Sequence, residues 1–257
     1  MQIEDIASDI EDRLVCKTAK LPTAPEVVLR LNALIQDDAA STDSIVKTLQ
    51  AHPALVARLL QIANSAALNP PQPVTSLFGA VSSLGLSLVR TLAVTVSVSN
   101  MFKSHDRRLQ ALLTKEWLHS VEVSALASIL MQSLESPRYD ASTALVCGIL
   151  HNIGSLPIID YLGATGSPPD LFEGLSGALG AKLSVHILTE WGLPNSFIAA
   201  IEPNSSSVYG QALAFVHFYL DAITDDTLTF DEHTLESFSK TVKENKAIYD
   251  SLVGIFC

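Results

Sequence analysis

The chain has 257 residues, 48% of them hydrophobic, and a formal net charge of −11 from 27 acidic and 16 basic residues. That length allows one large domain or two small ones with ample material for a packed core. So few cations argue against a general nucleic-acid surface, whose binding rests on Lys and Arg contacts to phosphates. Cys16, Cys147 and Cys257 are odd in number, widely spaced and without a CxxC pair, which reads as reduced thiols in a cytosolic setting, with Cys147 as buried packing.

The opening MQIEDIASDIEDRL is acidic and amphipathic and lacks the basic and apolar blocks of a secretory signal. Ile3, Ile6, Ile10 and Leu14 recur at helical spacing, which predicts a short helix serving as a lid or clasp. Residues 20–25 break the pattern, and Pro25 suits the first turn of a helix through Val27, Val28, Leu31, Leu34 and Ile35. After a polar turn at 37–41, Ser41 or Thr42 caps a helix whose Ile45, Val46 and Leu49 face inward. Pro53 opens the next, through Leu55, Val56, Leu59, Leu60 and Ile62, which stops near Asn64-Ser65; that pair caps the helix and fixes the proline-rich connector 69–73. Val74, Leu77, Val81, Leu84 and Leu86 then lead through a turn at Gly85 to a helix over 88–98. Helix, glycine turn, helix is also the outline of a DNA-binding helix-turn-helix, but Arg90 is followed by Thr91, Leu92, Ala93 and Val94, which suit packing better than base reading. Arg90 and several serines interrupt the apolar run 77–102, so it is predicted as core helix and not as a membrane span.

The polar stretch 101–110 is the expected boundary between an N-terminal lobe, 1–104, and a C-terminal lobe, 105–257. A long helix over 112–131 sets His119 among Trp117, Leu118, Val121, Ala125 and Leu126. The chemistry concentrates in 144–162, ALVCGILHNIGSLPIIDYL, where Ala144, Leu145, Ile149 and Ile153 recur near helical spacing. His151 and Asn152 are therefore expected on the wall of a helical core and not on a loop. An adjacent His-Asp pair is how one large group of phosphohydrolases presents two metal ligands; here the acid is an amide, neutral and a far poorer ligand. Further helices are predicted over 171–188, as one or two, then 197–201 and 209–223, with a tail over 225–257 that is acidic at first and then amphipathic. No strand-period segment, internal repeat or low-complexity tract is present, so the fold class is all-α. Ser155, Asp160 and His186 lack a nucleophile-elbow sequence, and Gly174, Gly177 and Gly180 follow no strand and read as flexible loop, not as a phosphate cradle.

The order of six blocks, LPTAPEVVLRL at 21–31, AHPALVARLLQIANSA at 51–66, VTSLFGAVSSLG at 74–85, WLHS at 117–120, GILHNIG at 148–154 and EWGLPNSFIAAI at 190–201, resembles the HDOD family, the HD-related output domains of bacterial signalling proteins. The first helix and the tail lie outside the resemblance. It implies a two-lobed helical fold whose C-terminal lobe derives from the HD phosphohydrolases. It also implies a non-catalytic, cytoplasmic module whose groove or apolar face binds a protein partner in a signalling pathway, or a small signalling molecule, with no nucleic acid and no membrane involved. By that resemblance His119 matches the first histidine of the HD pattern, His151 the histidine of the HD pair, and Asn152 replaces its aspartate. Gly180 falls where many relatives have histidine, Asn204 and Ser205 where a further histidine pair is common, and Leu220 where the last acidic ligand is expected, with Asp221 one residue out of register. Two imidazoles then remain from a site that needs several ligands and a carboxylate, too few for Mg²⁺ or Mn²⁺. His119, His151 and Asn152 are accordingly vestigial metal candidates, packed and hydrogen-bonded as core residues, and no cofactor is expected. The alternative is a metal-dependent phosphohydrolase that holds a divalent ion with His119, His151 and substitute ligands such as Asp160 or Asp221. The chain carries no receiver, kinase, cyclase or phosphodiesterase segment, so input and output are expected from a separate chain.

Overall fold

Short polar side chains start four of the described helices. The Ser41 hydroxyl accepts from the Ser44 N–H, Ser76 from Gly79, Asp106 from Arg108, and Asp140 from both Ser142 and Thr143, each satisfying backbone donors that a first turn leaves without partners. The computed structural model describes residues 3–16, 21–36, 41–64, 70–134, 140–224 and 232–256. Among them there is no strand. The helices are α1 (Ile3–Val15), α2 (Glu26–Gln36), α3 (Thr42–Gln50), α4 (Pro53–Ala63), α5 (Leu77–Ser99), α6 (Arg107–Ser133), α7 (Ala141–Leu150), α8 (Ser155–Thr165), α9 (Phe172–Glu190), α10 (Asn195–Ile201), α11 (Val208–Thr224), α12 (Glu232–Glu244) and α13 (Lys246–Phe256), with a 3-10 turn at Pro169–Leu171. Most of the predicted turn at 37–41, Ser65 of the capping pair, the start of the 69–73 connector, the start of the tail and Cys257 lie outside the described residues.

Helices α2, α3 and α4 pack on α5. Gly85 takes φ 75° and ψ 158°, a left-handed φ that glycine adopts without strain, and α5 bends there. The arm beyond the bend buries Thr91, Leu92, Ala93 and Val94 and leans on α7, where the Thr91 hydroxyl donates to the Ser142 carbonyl at 3.3 Å. It is a core helix, with the Arg90 guanidinium 5.5 Å from the centre of the Phe197 ring. Asn64 fixes the connector as expected, donating to the Leu60 and Val74 carbonyls at 2.8 Å and accepting the Val74 N–H at 2.7 Å.

Helix α6 packs against α7, α8, α11, α12 and α13. Helix α1 lies on α9. The Tyr161 hydroxyl donates to Asp9 at 2.6 Å, Arg13 sits 5.0 Å from the Tyr161 ring centre, and Lys182 pairs with Glu11 at 3.1 Å. Just downstream the Trp191 indole N–H donates to the Pro22 carbonyl at 2.9 Å, so the start of the chain straps α8 and α9. The stretch Ala141–Thr165 is long and apolar enough to cross a membrane by composition, and 72% of its most apolar window is buried among the other helices.

Candidate functional site

Two close backbone approaches set the middle of the site. A Cβ on Gly148 would lie 2.3 Å from the Cα of Ser124, so α7 meets α6 at contact distance; a Cβ on Gly154 would lie 2.1 Å from the Gly180 carbonyl oxygen and 2.7 Å from the Ser184 nitrogen, so the start of α8 meets α9 equally closely. The uninterrupted helical wall expected through His151 and Asn152 is corrected here. The last α-type bond of α7 runs from the His151 N–H to the Cys147 carbonyl, and three tighter bonds follow, Ile153 to Leu150, Ser155 to Asn152 and Leu156 to Ile153, at 3.1 to 3.2 Å. His151 to Gly154 thus form a tight turn. The buried Ser184 hydroxyl closes it, accepting the Gly154 N–H at 2.9 Å and donating to the His151 carbonyl at 2.8 Å. The helical period persisted in the sequence because both arms are apolar on their buried faces; the break is imposed by partners far along the chain.

On that turn His151 faces His119 of α6 and His217 of α11. Ring centres are 5.3 Å apart for His119 and His151, 5.0 Å for His119 and His217, and 4.9 Å for His151 and His217. One ring nitrogen from each lies within 4.8 Å of the others. His151 Nδ1 is 2.6 Å from the Gly148 carbonyl oxygen. A carbonyl only accepts, so Nδ1 carries the proton and Nε2 presents a lone pair. Burial favours the neutral form of all three imidazoles. Burial, reinforced by His217, pushes His119 down to about 4, against an opposing pull from Asp221. Burial and the two neighbouring rings push His151 well below its ordinary range, and burial lowers His217, again against Asp221.

The Asn152 amide donates to the carboxylate of Glu116, which is buried one turn before His119 on α6. Burial raises the Glu116 pKa, and the Asn152 hydrogen bond opposes that rise. The amide at 152 is therefore the complement of an acid at 116; an aspartate there would set two carboxylates against each other. A cleft of ≈ 660 Å³ opens beside the three rings, walled in part by Glu116, Asn152, Gly180, Asn204 and Ser205. Asn204 takes a φ of 57° in the turn after α10, and Ser205 donates to the Ala199 carbonyl.

Three positions singled out by the resemblance as departures, Gly180, Asn204 and Ser205, thus lie in one cleft with His119, His151 and Asn152. Leu220 is not among the lining residues, and Asp221 acts on His119 and His217 through its charge but stays outside the group of converging ligand atoms. Asp160, a proposed substitute ligand, is exposed and lines a separate cavity of ≈ 310 Å³ with Leu21, Pro22 and Met101. Ser155 is fully buried, its hydroxyl without a hydrogen-bond partner, while His186 is exposed, so no triad forms. Gly174, Gly177 and Gly180 sit within the continuous helix α9, not in a loop. Cys147 is buried, its thiol pushed up to about 12 by burial.

His217 is the residue that sequence reasoning missed. Its signal was present: a lone histidine in the apolar run Phe215-Val216-His217-Phe218-Tyr219, three residues before Leu220, where the last ligand was sought as an acid. On a helix, i and i+3 share a face.

A histidine-walled cleft between helices of an all-α fold defines the class of protein. The profile of the HDOD domain matches residues 21–206, and the chain belongs to that family. Among solved structures it is similar to a candidate metal-dependent phosphohydrolase from Shewanella amazonensis SB2B, at 18% identity and a TM-score of 0.78 over 99% of each chain. It is also similar to an HDOD domain protein of unknown function from Geobacter sulfurreducens, at 19% and 0.66 over 98% of this chain and 99% of that one. A third, a candidate signal transduction protein from Marinobacter aquaeolei VT8, aligns at 20% and 0.63 over 97% of this chain and 66% of its own. At these identities the likeness is one of fold, and it extends over the first helix and the tail. No curated protein matches the sequence.

Proposed function

We propose that this chain is a non-hydrolytic regulatory module of a cytoplasmic bacterial signalling system, two lobes meeting near residue 104, which acts on a protein partner. The observation that carries the reading is the pairing of Asn152 with Glu116. In an HD site the residue after the histidine gives a carboxylate to the metal; here that position gives an amide, and the nearest buried carboxylate is turned to the amide as its acceptor. Mg²⁺ and Mn²⁺ take oxygen ligands, and the converging group here offers three nitrogens and no oxygen. The water-activating ion of an HD phosphohydrolase does not fit this donor set. Membership of a family of output domains, and likeness to a candidate signal transduction protein, support the regulatory assignment.

The test is turnover of a generic phosphodiester by the full chain in excess Mg²⁺ or Mn²⁺, with His151→Ala as control. The reading expects no rate above that of the control. A wild-type rate that His151→Ala abolishes would replace it with the phosphohydrolase.

A further inference from the structure

We propose that His119, His151 and His217 form a binding site for one borderline divalent transition-metal ion of the Zn²⁺ class, entered from the cleft. The inference goes beyond the regulatory reading and does not depend on it. Three separate elements, α6, the turn at 151 and α11, each deliver one imidazole to the same point, with one nitrogen of each within 4.8 Å of the others. Neutral imidazole suits Zn²⁺, Co²⁺ and Ni²⁺ and discriminates against the hard ions, and three imidazoles leave a fourth coordination position for water or an anion. That position faces the cleft.

The surroundings are those a metal-binding histidine needs. His151 gives its Nδ1 proton to the Gly148 carbonyl, which fixes the tautomer and the ring plane and leaves Nε2 to coordinate. Gly148 sits so close to Ser124, on the helix that carries His119, that a Cβ on it would lie 2.3 Å from the Ser124 Cα. Glu116 lines the same cleft and, bonded to Asn152, brings a carboxylate near the site while staying outside the group of converging ligand atoms. Ion–nitrogen bonds of about 2.05 Å place the three nitrogens about 3.4 Å apart. The three nitrogens here lie within 4.8 Å of one another, and rotation of the side chains brings them to that coordination spacing.

The probe is Co²⁺, added to the full chain after treatment with chelator and desalting, and read by its visible d–d absorption. The expected result is one equivalent bound with the intense bands of four- or five-coordination, displaced one for one by Zn²⁺ and untouched by a large excess of Mg²⁺. H217Q, checked for helicity by circular dichroism, loses more than about 100-fold in affinity, since even outer-shell partners of metal ligands are worth 10- to 100-fold. The exposed His186→Ala variant keeps the affinity. Should H217Q fail to fold, ¹⁵N-labelled wild-type protein decides: Zn²⁺ shifts the ring nitrogens of three of the seven histidines together, at one equivalent. No stoichiometric binding, undiminished binding in H217Q, or ring shifts confined to other histidines would overturn the site. Bound metal without phosphodiester turnover supports this site and the regulatory reading together. Bound metal with turnover supports the site and overturns that reading, and absence of metal removes the site alone.

Discussion

Replacing Gly148 by alanine tests the close crossing of α6 and α7 on which the histidine geometry rests. The added methyl would sit 2.3 Å from the Cα of Ser124 and 2.7 Å from its Cβ and its backbone nitrogen. Carbon atoms pack best at about 3.5 to 4.0 Å, so α6 and α7 must part by roughly 1 Å. The obstructing atoms are mostly backbone, and no rotamer change relieves them. Overpacking costs about 1–3 kcal/mol, and this case lies at or above the upper end; the better helix propensity of alanine returns about 1 kcal/mol. The net loss is about 2 kcal/mol, or a melting temperature lower by roughly 4–8 °C for a chain of this size. Gly177 provides the internal comparison. It too lies in a helix, α9, but nothing stands within 4 Å of the Cβ it would gain, so Gly177→Ala stabilises by about 0.5–1 kcal/mol. Urea and thermal unfolding followed by circular dichroism read both variants. Equal or greater stability of Gly148→Ala relative to wild type would refute the backbone contact and the clamped geometry drawn from it.

Three further substitutions probe the site by stability. In metal-free protein His119 titrates near 4 when folded and at its ordinary 6.5 when unfolded, so the unfolded chain takes up the proton first. Its contribution is complete above pH 6.5 and falls away as pH drops toward 4, by roughly 3 kcal/mol in all and about 2 kcal/mol between pH 7.5 and 5. His119→Gln flattens that slope in urea unfolding, and an unchanged slope contradicts the neutral imidazole. Ser184→Ala strips the buried Gly154 N–H and the His151 carbonyl of their common partner and should cost about 2 kcal/mol; thermal melts matching wild type would show that the turn closes without it. Asn152→Asp faces Glu116 with a second acid, raising both carboxyl pKa values, so its stability deficit grows as pH rises from 5 to 7.5, reaching about 2 kcal/mol. A deficit independent of pH would mean that the two side chains do not share a surface.

Local signals carried the all-α fold: the caps, the prolines at helix starts and the apolar spacing all describe short stretches of chain. The same is true of His119 and His151, which stand in compact motifs, and of Asn152 as the replaced acid. The turn at 151 was not legible, because it is closed by Ser184 and by the approach of Gly154 to Gly180, contacts far along the chain that no local pattern announces. The face of α1 was legible but not what it covers: amphipathicity says that Ile6 and Ile10 are buried, not that they turn toward α9. His217 escaped because the search along α11 followed charge, and the side chain that completes the cluster is a neutral ring one turn earlier.

Turnover of a phosphodiester, measured against the bound metal content of one preparation loaded in steps with Zn²⁺, separates a regulatory cleft from a hydrolytic one. A regulatory cleft gives a flat line at the rate of the His151→Ala control however much metal is bound. A rate that climbs in proportion to bound metal would contradict the regulatory reading and make the three imidazoles a catalytic centre.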